Sequence, residues 1–142
     1  MKKLFTDTNI VIDLLARREP YYKESAALFS LADRKKIEIS ISSLTLANTS
    51  YVLLKQLSAK KVKEILRKLR LVVNVLPLDN KIIGLALNDE TFKDFEDGLQ
   101  YFTAIENEQE IIITRNLKDY KMSQIPVMTA RQFLELIKEN KR

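Results

Sequence analysis

Short apolar runs and helical periodicity alternate along the whole chain. Leu4–Phe5, Ile37–Ile41, Val72–Leu76, Ile111–Ile113 and Val127–Met128 are brief and largely β-branched, as buried strands are. Between them, about residues 9–16, 22–35, 44–57, 59–70, 79–88, 96–107 and 129–140 space their apolar positions by three or four, which predicts helices. The alternation implies an α/β protein: a parallel sheet of about five strands, covered on both faces by helices and joined by right-handed crossovers. Such sheets bind ligands beyond the carboxyl ends of their strands. Polar residues stand at those ends here: Asp7-Thr8-Asn9, Ser42-Ser43 and Thr114-Arg115-Asn116.

Composition narrows the chemistry. With 142 residues, two glycines, three prolines and no repeat or low-complexity tract, residues 1–142 read as one domain with a core of adequate size. Cysteine and histidine are both absent, which excludes disulfides and thiolate or imidazole zinc sites. Hydrolytic chemistry would have to rest on carboxylates, tyrosine, lysine or a metal ion. The opening MKKLFTDTNIVIDLL is interrupted by Asp7, Asn9 and Asp13, so no signal peptide is expected. No stretch of about 18 uninterrupted apolar residues occurs, so no membrane span is expected and the expected location is cytoplasmic. A net charge of +5 favours polyanions mildly.

The most unusual chemistry lies in residues 89–97. Asp89, Glu90, Asp94, Glu96 and Asp97 fall within nine positions relieved by Lys93 alone. Acids in a first helical turn complement the macrodipole, and Asp7 after the first strand has the composition of an N-cap. Five acids exceed what capping requires. Crowded carboxylates favour proton sharing or a bound divalent cation, and all-oxygen ligands select Mg²⁺ or Mn²⁺.

The segments FTDTNIVIDLL, ISSLTLANTSYVL, DFEDGLQYFTAI, IIITRNLKDY and IPVMTARQFL resemble the PIN domains, which include the VapC-type ribonuclease toxins of bacterial toxin–antitoxin pairs. The resemblance spans nearly the whole chain. It implies a three-layer α/β/α fold and Mg²⁺- or Mn²⁺-dependent endonucleolytic cleavage of RNA, with a 5′-phosphate product. The catalytic residues it implies are Asp7, Asp97, Asp119 and Asn48, with Asp7, Asp97, Asp119 and Glu96 as metal ligands. Asn9, Thr114 and Asn116 would orient ligands or substrate; Arg115, two residues past a strand end and beside Thr114, is by its position the basic residue expected near the substrate. Where many relatives have a glutamate in the helix after the second strand, this chain has Asn48, and where some have an aspartate it has Asn116. Each keeps an oxygen and loses a charge. Asn48 also reads as a polar residue hydrogen-bonded within an apolar helix.

Several alternatives stay open at this stage. The two asparagines are compatible with a noncatalytic PIN-like module that binds RNA or protein. A phosphoacceptor receiver domain fits less well, because the third strand ends in Leu76-Pro77 and the fifth in Met128-Thr129. Isolated Gly84 and Gly98 cannot form a phosphate-cradling loop. Lys60, Lys63, Arg67 and Arg70 form one basic stripe opposite Val62, Ile65, Leu66 and Leu69, suited either to RNA backbone or to solvent. Lys138, Lys141 and Arg142 complement a helix carboxyl terminus. LTLANTSYVLL and NIVIDLLA have more apolar positions than one buried stripe uses, so they are either deep in the core or joined to another chain. A homodimer is the expectation, and the resemblance adds a cognate antitoxin.

Overall fold

The computed structural model describes residues 1–140; Lys141 and Arg142 of the basic tail lie outside the described residues. Five strands, β1 (Lys2–Thr6), β2 (Ile37–Ser42), β3 (Asn74–Leu76), β4 (Ile111–Ile113) and β5 (Val127–Met128), form one parallel sheet. Their order is β3-β2-β1-β4-β5. The helices among the described residues are α1 (Thr8–Leu15), α2 (Tyr22–Asp33), α3 (Ser43–Leu53), α4 (Ala59–Leu69), α5 (Asn80–Asn88), α6 (Phe95–Glu106) and α7 (Ala130–Asn140), with a 3-10 turn at Leu117–Tyr120. This is the expected three-layer α/β/α arrangement. None of these helices is long and apolar enough to cross a membrane.

Strand pleating sorts the core into two layers. Leu4, Ile39, Ile41, Ile111 and Ile113 face one side and pack with Val11, Leu28, Phe29, Leu69 and Phe133 from α1, α2, α4 and α7. Phe5 and Ile112, one position out of phase, face the other side and meet Tyr101, Ala104 and Tyr120. Fully burying a side chain such as Phe5 stabilises by about 1.5–3 kcal/mol. Ile82 and Ala86 of α5 extend this second layer against Leu99 of α6.

Oxygen caps turn strands into helices. Ser42, the last residue of β2, accepts from Thr45 N at 3.1 Å and starts α3; Ser58 and Asp79 cap α4 and α5 through Lys61 N (3.2 Å) and Ile82 N (2.9 Å). Such caps are worth about 1 kcal/mol each. Two boundaries differ from the periodicity, one through such a cap and one through backbone hydrogen bonds that close a helix end. The chain after Leu53 leaves the helix because Ser58 begins a new one. The third strand starts at Asn74 because Val72 and Val73 donate to Leu69 O (2.9 and 3.1 Å), closing the end of α4.

Of the two apolar helices singled out by sequence, α1 is sunk in the core with Ile10, Val11 and Ile12 buried. By contrast, α3 buries Thr45, Thr49 and Leu53 but leaves Tyr51 70% exposed, with Leu54 and Leu57 exposed just beyond it.

Candidate active site

The strand order reverses at β1, which has β2 on one side and β4 on the other, so a crevice opens beyond the carboxyl ends of β1 and β4. Thr6 pairs with Ile113, and the Asp7 N–H continues the ladder to Ile113 O at 2.9 Å, which fixes Asp7 at that crevice. Its carboxylate is 8% exposed and surrounded by donors. Oδ1 accepts from Thr8 N (2.9 Å) and Gln100 Nε2 (3.2 Å); Oδ2 accepts from Thr114 Oγ1 (2.8 Å) and Asn9 Nδ2 (3.5 Å). Asp7 is thus the N-cap of α1 and also faces the crevice. Thr114, fully buried after β4, accepts Asn116 N at 3.0 Å, and Arg115 N donates to Asn9 Oδ1 at 3.3 Å.

The acids of residues 89–97 divide into separate tasks. Asp89 accepts from Thr91 N (2.9 Å) and Phe92 N (2.8 Å), closing a turn before α6. Asp94 is the N-cap of α6, accepting from Glu96 N (2.7 Å) and Asp97 N (3.4 Å). Glu96 accepts from Asn48 Nδ2 at 2.6 Å, which joins α3 to α6 across the crevice. Asp97 has no such task. Its burial, and then the negative charges of Asp119, Asp94, Asp7 and Glu96, push its carboxyl up to about 7. No donor among the described residues counters them.

Asp7, Thr8, Asn9, Asn48, Asp94, Glu96, Asp97, Gln100 and Asn116 line one cleft of about 210 Å³. Asp119 opens into an adjoining cleft of about 220 Å³ with Lys118 and Lys121, and Asp94 and Asp97 are shared by both. The fold therefore gathers Asp7, Asp97, Glu96, Asn48, Asn9 and Asn116, with Asp119 as a neighbour through Asp97. Arg115 is directed elsewhere. Its Nε and Nη2 donate to Asp13 at 2.7 and 3.2 Å, and its guanidinium lies 4.0 Å from the centre of the Tyr21 ring. Asp13 is fully buried, so this cation is committed to neutralising it. The pair borders a second groove, of about 580 Å³, that reaches the crevice at Asn116. The basic stripe of α4 is exposed along Lys60, Lys63, Arg67 and Arg70.

Gln100 was not singled out by sequence reasoning. It lies one turn after Asp97 on α6, is 3% exposed, and bonds Asp7, Thr8, Thr45 and Ser42. Its signal was an amide within a stretch of α6 that is otherwise small or apolar at Gly98, Leu99, Tyr101 and Ala104.

The donor set suits a hard divalent cation: Asp7, Asp97, Asn116 and the neighbouring acids offer oxygen only. One feature agrees with that fit: the carboxylate crowding at Asp97 is what a cation would relieve. Among the described residues, no three acids converge as a ready-made cluster.

Comparison with known proteins agrees with this architecture. A family model described as PIN domain matches residues 3–118. Ribonuclease VapC1 of Aquifex aeolicus is 28% identical over 138 residues, 94% of each chain. A toxin–antitoxin complex from Klebsiella pneumoniae contains a chain 25% identical with a TM-score of 0.67, the match covering 89% of this chain and 97% of that one. VapBC2 from Rickettsia felis, bound to a promoter DNA fragment, matches at 22% identity and a TM-score of 0.64 over 89% and 96% of the two chains. The family model covers more than half of the chain, and the parallel sheet with acids at its switch point agrees with it: the chain belongs to the PIN domain family.

Proposed function

We propose that the protein is a divalent-cation-dependent endoribonuclease, the toxin of a toxin–antitoxin pair. One observation supports this most: Asp7 and Asp97, from distant parts of the chain, line one cleft at the sheet's switch point together with the side-chain oxygens of Asn48, Glu96 and Asn116. Asp7 and Asp97 would hold Mg²⁺ or Mn²⁺, with Glu96, Asp119, Asn48 and Asn116 completing or flanking the ligand set. When bound, such a cation supplies Lewis-acid activation of water and neutralises charge developing on phosphoryl oxygens. Thr114 and Asn9 hold Asp7 Oδ2 through their donors, and Asp97 would have to be ionised to serve as a ligand. No histidine is needed for this chemistry.

The similarity to named VapC and toxin–antitoxin proteins supports the toxin assignment and a cognate antitoxin as partner. The exposed Tyr51, Leu54 and Leu57 offer an apolar surface for a homodimer or that antitoxin. A second reading, a noncatalytic RNA- or protein-binding module, draws on the Asn48–Glu96 bond and on Asn116. Cleavage of short RNAs with Mn²⁺ separates the two. The native protein should cut, and Asp7→Asn and Asp97→Asn should each lose at least about a hundredfold in rate. Equal cleavage by all three would mark a contaminant and favour the binding module.

A further inference from the structure

We propose that Gln100 is a positioning residue that sets the plane of the Asp7 carboxylate and ties it to the β2–α3 turn. The proposal rests on the reading of Asp7 as a cation ligand. A carboxylate's terminal torsion is broad and roughly two-fold, so donors, not rotamer preference, decide the plane in which its two oxygens lie. Thr114 and Asn9 hold Oδ2; Thr8 N and Gln100 Nε2 hold Oδ1. Of these four, Gln100 comes from α6, the helix that also bears Asp97, whereas Asn9 and Thr8 belong to α1. Gln100 is therefore the direct hydrogen bond between Asp7 and the helix of the second acid.

The direction of the amide is itself fixed. Ser42 Oγ accepts Thr45 N at 3.1 Å and donates its proton to Gln100 Oε1 at 2.5 Å. With the carbonyl so occupied, the NH₂ group must face Asp7 Oδ1, Thr8 Oγ1 (3.2 Å) and Thr45 Oγ1 (3.0 Å). The reversed amide would set a carbonyl oxygen against a carboxylate and turn the NH₂ group toward Ser42 Oγ, which already accepts from Thr45 N. Every partner is buried or half-buried, so water cannot substitute readily for a lost bond. The chain Ser42–Gln100–Asp7 thus fixes the ligand against β2 and α3 as well as against β1 and β4.

The test measures Mn²⁺ binding at pH 8 by electron paramagnetic resonance of the free ion, alongside kcat and KM for RNA and metal-free melting. Gln100→Met keeps an unbranched side chain of similar length and removes the amide. It should bind Mn²⁺ about 10–100-fold more weakly, as loss of a ligand-orienting partner does. Its KM for RNA at saturating Mn²⁺ should stay within about twofold of the native value, because Gln100, although it lines the cleft, is 3% exposed and its amide is turned to buried partners. If that variant does not fold, Ser42→Ala reads the same chain, with about threefold weaker Mn²⁺ binding expected. Unchanged Mn²⁺ affinity in the folded Gln100→Met protein, or in Ser42→Ala where that variant is the one measured, overturns the proposal. A control distinguishes the underlying reading: Mn²⁺ binding by Asp7→Asn equal to the native protein's would remove Asp7 as a ligand, and the proposal with it.

Discussion

Raising the pH from 5.5 to 8 should tighten Mn²⁺ binding steeply, and the size of the change follows from Asp97. With its carboxyl pushed up to about 7, it is about 3% ionised at pH 5.5 and about 90% ionised at pH 8. A cation binds the ionised form, so apparent affinity should rise about 30-fold across that range, nearly tenfold per pH unit at the acid end and flat above pH 8. An ordinary aspartate, titrating near 4, would give almost no change over the same interval. Calorimetric titration in buffers of different ionisation enthalpy measures both quantities needed. At pH 6 about one proton should be released per Mn²⁺ bound, and at pH 8.5 almost none. Affinity that is level from pH 5.5 to 8, with no proton release at pH 6, would refute the argument that Asp97 both has the raised pKa and meets the ion.

The same group should shape metal-free stability. Its folded-state value lies above the unfolded one, so between about pH 4 and 7 the folded protein keeps a proton that the unfolded chain releases. Stability from this source is full below pH 4 and declines through pH 7. Asp97→Asn should abolish the decline and stabilise the metal-free protein at pH 8 by about 1 kcal/mol, solvent screening of the half-buried side chain having reduced the full effect; thermal melts at both pH values check it. Arg115→Ala should leave Asp13 charged, buried and unpaired, a loss of about 3–5 kcal/mol read by urea unfolding. If that variant instead matches the native midpoint, the guanidinium is free for other partners.

Much of the fold was legible because strand pleating writes itself into short runs. Leu4 and Phe5, and Ile111, Ile112 and Ile113, alternate between two core layers as their sequence positions require. Boundaries set by capping were less legible. Val72 and Val73 have strand composition but complete the end of α4, because nothing in their type reveals that Leu69 O awaits a donor. At the site, Asp7 and Asp97 stood out by type and place, whereas the acid excess around them concealed a division of labour. Asp89 and Asp94 act on backbone N–H groups, and Glu96 meets Asn48. Pairings between distant positions were the least legible. Asp13 interrupts an apolar helix and looked like a break in a hydrophobic run; it is the fully buried partner of Arg115, far along the chain. Gln100 gave only an amide on a buried face, and its four partners come from α1, β2 and α3, or stand just before α1.

Diffraction from crystals equilibrated with Mn²⁺, using the anomalous signal to locate the ion, tests most directly whether these oxygens form one site. The account predicts a single strong peak with an oxygen of Asp7 and an oxygen of Asp97 each about 2.2 Å away. A peak coordinated by one of them alone, or Mn²⁺ bound elsewhere with the two carboxylates pointing apart, would contradict it.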